Sequence, residues 1–135
     1  MLRNIYEKRI EEERHKILDG VYSSRVVDGR QRKHIKGTRE YEQNRAKMRR
    51  YSPESEPSKL DPDVDVQALV DEYKGTGKIR FENHSLYPIE DVVSNSIIGQ
   101  TWVKSIKRYV DTRMFTISYS STGVHIIPIN ERGRI

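Results

Sequence analysis

Residues 113–129 read RMFTISYSSTGVHIIPI, and no other stretch of the chain leaves the fold less freedom. Phe115, Ile117 and Tyr119 alternate with Thr116, Ser118 and Ser120, the period of two that puts one set of side chains on a core face and the other towards solvent. Ser-Thr-Gly then turns the chain into Val124-His125-Ile126-Ile127-Pro128-Ile129, so the stretch predicts a tight antiparallel hairpin. One position of its second strand is out of character. His125 stands in an otherwise aliphatic run.

Upstream of the hairpin the pattern is helical. Thr38 is placed to cap a helix over 38–50, and Asp63 or Asp65 to cap a second over 65–74, where Val66, Leu69, Val70 and Tyr73 share a face and Gly75 ends it. Strands are expected near 78–82, 96–107 (bent at Gly99), 113–120 and 123–129, joined as one four-stranded antiparallel sheet with Trp102, Phe115, Ile117 and Tyr119 on its apolar side or rim. Helices followed by a meander argue an α+β fold. Residues 1–19 are sparsely apolar, and the reading takes 1–25 as a helical arm outside the core. Residues 26–135 then form the domain, with the Pro/Ser-rich stretch 51–63 as a flexible connection.

Charge points to the partner. Residues 1–50 carry 15 Lys/Arg against 8 Asp/Glu, residues 51–95 carry 4 against 10, and residues 96–135 carry 6 against 2. If the two basic ends fold together they make a face suited to a polyanion. The chain has no cysteine, which excludes disulfides and thiolate chemistry. No apolar run is long enough to span a membrane, and the first residues lack the apolar centre of a signal peptide.

Each basic end holds one histidine of interest. His34 lies among Arg30, Arg32, Lys33 and Lys36, just before the helix that Thr38 caps; His125 lies on the strand that pairs with Ser118, Tyr119 and Ser120, and Lys104 on the preceding strand adds a cation. RNA can be cut by its own 2′-hydroxyl if a base deprotonates that oxygen, an acid protonates the leaving 5′-oxygen, and cations or N–H groups stabilise the phosphorane. Two histidines flanked by cations and hydroxyls meet that list without a metal or other cofactor. His34 and His125 are therefore the catalytic candidates, and Arg32, Lys33, Thr38, Lys104, Ser118, Tyr119 and Ser120 the substrate-binding ones. Metal-dependent hydrolysis fits less well, since no His-Glu-x-x-His pair is present, and KGTGK (74–78) precedes a strand where a phosphate-binding loop would precede a helix. His15 and His84 read as a solvated helix residue and a loop residue.

KHIKGTREYEQ (33–43), LVDEYKGTGKI (69–79), IIGQTWV (97–103) and ISYSSTGVHIIP (117–128) together resemble the bacterial polymorphic toxin type 50 domain over roughly residues 30–129. The first and last blocks are the specific ones. The resemblance implies a barnase/EndoU/RelE-like RNase effector with helices ahead of a twisted antiparallel sheet. It implies roles for His34, Gly37 and Thr38 in the first block and for Tyr119, Ser120, Gly123 and His125 in the last. It also implies RNA, single-stranded or tRNA-like, as the substrate, an inhibitor or immunity protein as a partner, and action in the bacterial cytoplasm. A phage or prophage origin would add phage structural proteins as partners and association with the virion. The alternative is a non-catalytic nucleic-acid-binding or structural phage protein on the same fold.

Overall fold

The alternation of residues 114–128 builds the hairpin on which the rest of the chain is laid. A computed structural model describes residues 2–82 and 85–131, so His84 lies outside the described residues. In chain order the elements are α1 (Leu2–Leu18), α2 (Asp28–Gln31), a 3₁₀ turn (Arg32–His34), α3 (Arg39–Tyr51), β1 (Lys59–Leu60), α4 (Val66–Tyr73) and β2 (Lys78–Arg80). β3 (Ile89–Val93), β4 (Gly99–Val103), β5 (Arg108–Thr112), β6 (Met114–Tyr119) and β7 (Val124–Pro128) follow. The fold is α+β, as expected. None of the described helices is long and apolar enough to cross a membrane.

The sheet differs from the single meander expected. Among the described residues there are two antiparallel sheets, β2-β3-β6-β7 and β1-β4-β5. β6 and β7 pair as the alternation requires, Ser118 opposite His125 and Tyr119 opposite Val124. The expected long strand over 96–107 is instead the first arm of a hairpin: β4 turns at Lys104–Lys107, where Lys107 takes a φ of 52°, and returns as β5. A strand the sequence concealed, β3, lies between β2 and β6. Its two carboxylates break the apolar pattern, yet Glu90 is wholly buried on the core face. It accepts from the backbone N–H groups of Gly75 (3.0 Å) and Gly77 (2.7 Å) and from the Tyr119 hydroxyl (2.8 Å). Buried carboxylates survive only when their lone pairs are satisfied in this way.

The core joins Ile79, Val92, Phe115, Ile117, Tyr119, Val124 and Ile126 of the large sheet to Ile17, Leu60, Val70 and Ile98. Two expectations are corrected here. The segment taken as an arm is docked: Ile17 is 0% exposed, Ile10 packs against the core, and the Arg14 guanidinium donates to the carbonyls of Gly75 and Gly77. Ile10 and Ile17 stand two helical turns apart, so the contact is a narrow stripe that a sparse pattern hides. The stretch 51–63, expected as a flexible connection, makes specific contacts. Glu56 pairs with Arg45 and Arg49, and β1 pairs with β4 so closely that a side chain on Gly99 would lie 2.2 Å from the Lys59 carbonyl.

Both caps form as read. The Thr38 hydroxyl accepts from Tyr41 N–H at 3.1 Å and the Asp65 carboxylate from Ala68 N–H at 3.1 Å. Gly75, at φ 81°, follows α4 in a conformation that favours glycine.

Candidate active site

The edge of β7 carries the site. At Val124 that edge bonds to the chain arriving from α1: Val124 N–H donates to Arg25 O and Val27 N–H to Val124 O, each at 2.8 Å. At Ile126 a side chain replaces the missing strand. Gln31, 2% exposed, accepts from Ile126 N–H at 2.6 Å and donates through its amide nitrogen to Ile126 O at 2.9 Å. His125 stands between these two anchor points, and His34 follows Gln31 by three residues. A buried, two-point side-chain clamp thus locks the segment bearing one histidine against the strand bearing the other.

His34 is 9% exposed. Its Nδ1 lies 3.0 Å from the Ser58 carbonyl and 3.2 Å from the Ser58 hydroxyl. A carbonyl only accepts, so Nδ1 carries the proton and Nε2 the lone pair. Burial pushes the His34 pKa down; the bond to Ser58 works against that shift, and the Lys33 charge adds to it. His125 is half-buried on β7, with its Nδ1 enclosed and without a partner among the described residues. Its pKa falls to about 4, first because burial disfavours the cation, then because His34, Lys33 and Arg30 press on it with like charge. These shared charges bring His34, His125, Lys33 and Arg30 into one electrostatic neighbourhood.

The other predicted residues divide. Ser118 is the cross-strand neighbour of His125 and shares its face of the sheet. Alongside it runs a polar row in which the Asp91 carboxylate accepts from Thr116 (2.8 Å) and from Arg80 (2.7 Å). Ser120 accepts from the Arg30 guanidinium at 2.8 Å and donates to the Gly123 carbonyl at 2.8 Å, which ties the cationic segment to the hairpin turn. A side chain on Gly123 would lie 2.2 Å from Arg25 O, so glycine alone fits there. Lys33 is exposed and makes no ion pair among the described residues. Arg32 and Thr38 are close in sequence but engaged elsewhere: Arg32 on Glu40 at 2.7 Å, Thr38 on the backbone that it caps. Tyr119 points to the opposite, core face, and Lys104 sits in the β4–β5 turn with its ammonium on Ser52 Oγ at 2.7 Å.

Three contributors escaped the sequence reading. Arg30 counted only as one of several cations. Ser58 lay in a stretch taken as flexible, and Gln31 is a polar residue in a polar run that nothing local marks as buried. Among the described residues no group of three or more His, Asp or Glu side chains is arranged to hold a metal ion. What these residue types offer chemically is imidazole nitrogens for proton transfer and the cations Lys33 and Arg30 for an anion.

None of the curated proteins matches this chain. The family model for bacterial toxin 50 matches residues 26–128, which begins where the chain reaches the edge of β7, ends at the last residue of that strand, and includes both histidines. With the match spanning most of its length, the chain belongs to the bacterial toxin 50 family.

Proposed function

We propose that this toxin domain is an endoribonuclease that cuts RNA without a metal ion, by attack of the 2′-hydroxyl on the adjacent phosphodiester. His34 acts as the base. Its Nδ1 proton is committed to the Ser58 carbonyl, so Nε2 is the nitrogen that takes the proton of the 2′-hydroxyl. The 2′-oxygen then bonds to phosphorus and the bond to the 5′-oxygen breaks. His125 supplies the proton to that oxygen, leaving a 2′,3′-cyclic phosphate and a 5′-hydroxyl.

The low pKa of His125 belongs to this scheme. Its depression comes from burial and from positive neighbours, and an arriving phosphodiester brings the negative charge that reverses the second of these. The substrate itself therefore helps to charge the acid, and by linkage a protonated His125 binds the phosphate more tightly. Lys33 and Arg30 supply the remaining positive field.

The buried Gln31 clamp, which ties the segment of Arg30, Lys33 and His34 to the strand of His125, is the observation that supports the reading most. Incubation of total RNA with the protein, with and without EDTA, tests it. Cleavage should be unchanged by EDTA, and His34→Ala and His125→Ala should each lower the rate by about 10²–10⁴ while RNA affinity, dominated by phosphate contacts, changes far less. Retained binding with no cleavage by the unaltered protein would make it a nucleic-acid-binding domain instead. Bacterial toxin domains typically pair with immunity proteins, and a protein that covers Lys33 and Arg30 would shut this site.

A further inference from the structure

A cavity of about 260 Å³ is walled by Lys36, Tyr41, Arg45, Glu56, Trp102 and Tyr109, with Glu42 at its side. One short segment joins it to the catalytic candidate. Glu56 lines the cavity, the Pro57 carbonyl accepts from the Tyr109 hydroxyl at 2.9 Å, Ser58 holds His34, and the Lys59 ammonium lies 4.3 Å from the centre of the Tyr109 ring. On the other side Lys36 follows His34 by two residues.

The aromatic wall is fixed in advance. Trp102 and Tyr109 face each other across the small sheet, edge to face at 5.2 Å, and Trp102 Nε1 donates to the Glu54 carbonyl at 2.7 Å. The Tyr41 and Tyr109 hydroxyls meet at 2.8 Å. The polar groups of all three rings are thus satisfied within the protein, and Trp102, half-buried, retains ring surface for a ligand. The charges nearly cancel: Arg45 binds Glu56 at 2.6 Å and lies 3.6 Å from Glu42. A cavity so balanced offers little to a phosphate. It suits a neutral, planar, polar ring, and its volume lies below the roughly 300–1,000 Å³ of sites that enclose a whole drug-sized ligand.

We propose that this cavity holds one nucleobase of the bound strand, stacked on the Trp102 side of the wall, and so sets which nucleotide is presented to His34. The inference rests on the nucleic-acid reading above, but it has its own readout. Trp102 is the only tryptophan of the chain, and its fluorescence reports on this wall alone.

The test is a fluorescence titration of the unaltered protein with each of the four nucleoside 3′-monophosphates, and with inorganic phosphate at matched ionic strength. At least one nucleotide should quench Trp102 saturably, and inorganic phosphate should not. Tyr109→Leu, which removes the ring that holds Trp102 in place, should weaken the quenching ligand about tenfold. No saturable quenching by any nucleotide, or equal quenching by phosphate, overturns the proposal. Quenching without RNA cleavage would sustain the base site and count against the nuclease reading; cleavage without quenching would do the reverse.

Discussion

His125 is an unusual residue for an aliphatic strand because burial and positive neighbours both oppose its charge. The sheet buries it, and His34, Lys33 and Arg30 stand near it. The sign of the resulting pH dependence follows. Between the folded value of about 4 and the ordinary value of 6.5, the unfolded chain binds a proton that the folded chain refuses. Stability is therefore full above that window and falls as the pH is lowered through it. His34, also depressed, acts in the same direction. Urea midpoints of the unaltered protein and of His125→Asn, measured between pH 7 and pH 4, check this: the unaltered protein should lose more stability on acidification than the variant. Equal losses would mean that His125 is more open to water than its environment indicates.

At the scale of elements, what the sequence reveals depends on whether a signal is local. The β6–β7 alternation and the Thr38 and Asp65 caps are local, because each rests on residues within a few positions of one another, and all three were legible. β3 was not, because what permits Glu90 in the core is a pair of N–H groups on the α4–β2 turn and a tyrosine on β6. β1 was hidden for a similar reason, since its two residues are a strand only by virtue of β4. Helix α1 concealed its role in the spacing of Ile10 and Ile17. Its removal gives a direct check: a chain beginning at Ser23 should melt many degrees lower, since the loss of one buried isoleucine alone costs about 2–5 kcal/mol and the Arg14 bonds to the α4–β2 turn go with it. An unchanged melting temperature would return α1 to the status of an arm.

For the molecule as a whole, the uneven charge along the chain has a spatial meaning. Part of the acidic middle is spent neutralising basic residues, Glu56 on Arg45 and Arg49, Asp91 on Arg80. Lys33, next to His34, makes no ion pair among the described residues. The two histidines were singled out from composition and chemistry, whereas the contacts that hold their segments, Gln31 on Ile126 and Ser58 on His34, appear only once the chain is folded. The proposed cleavage is tested most directly by the chemistry of the RNA ends it would produce. Phosphorus NMR of a short oligoribonucleotide treated with the protein in EDTA should show a 2′,3′-cyclic phosphate paired with a new 5′-hydroxyl end, formed by the unaltered protein and not by His125→Ala. Fragments ending in a 5′-phosphate and a 3′-hydroxyl would contradict it, because attack by water and not by the 2′-oxygen would then have broken the strand.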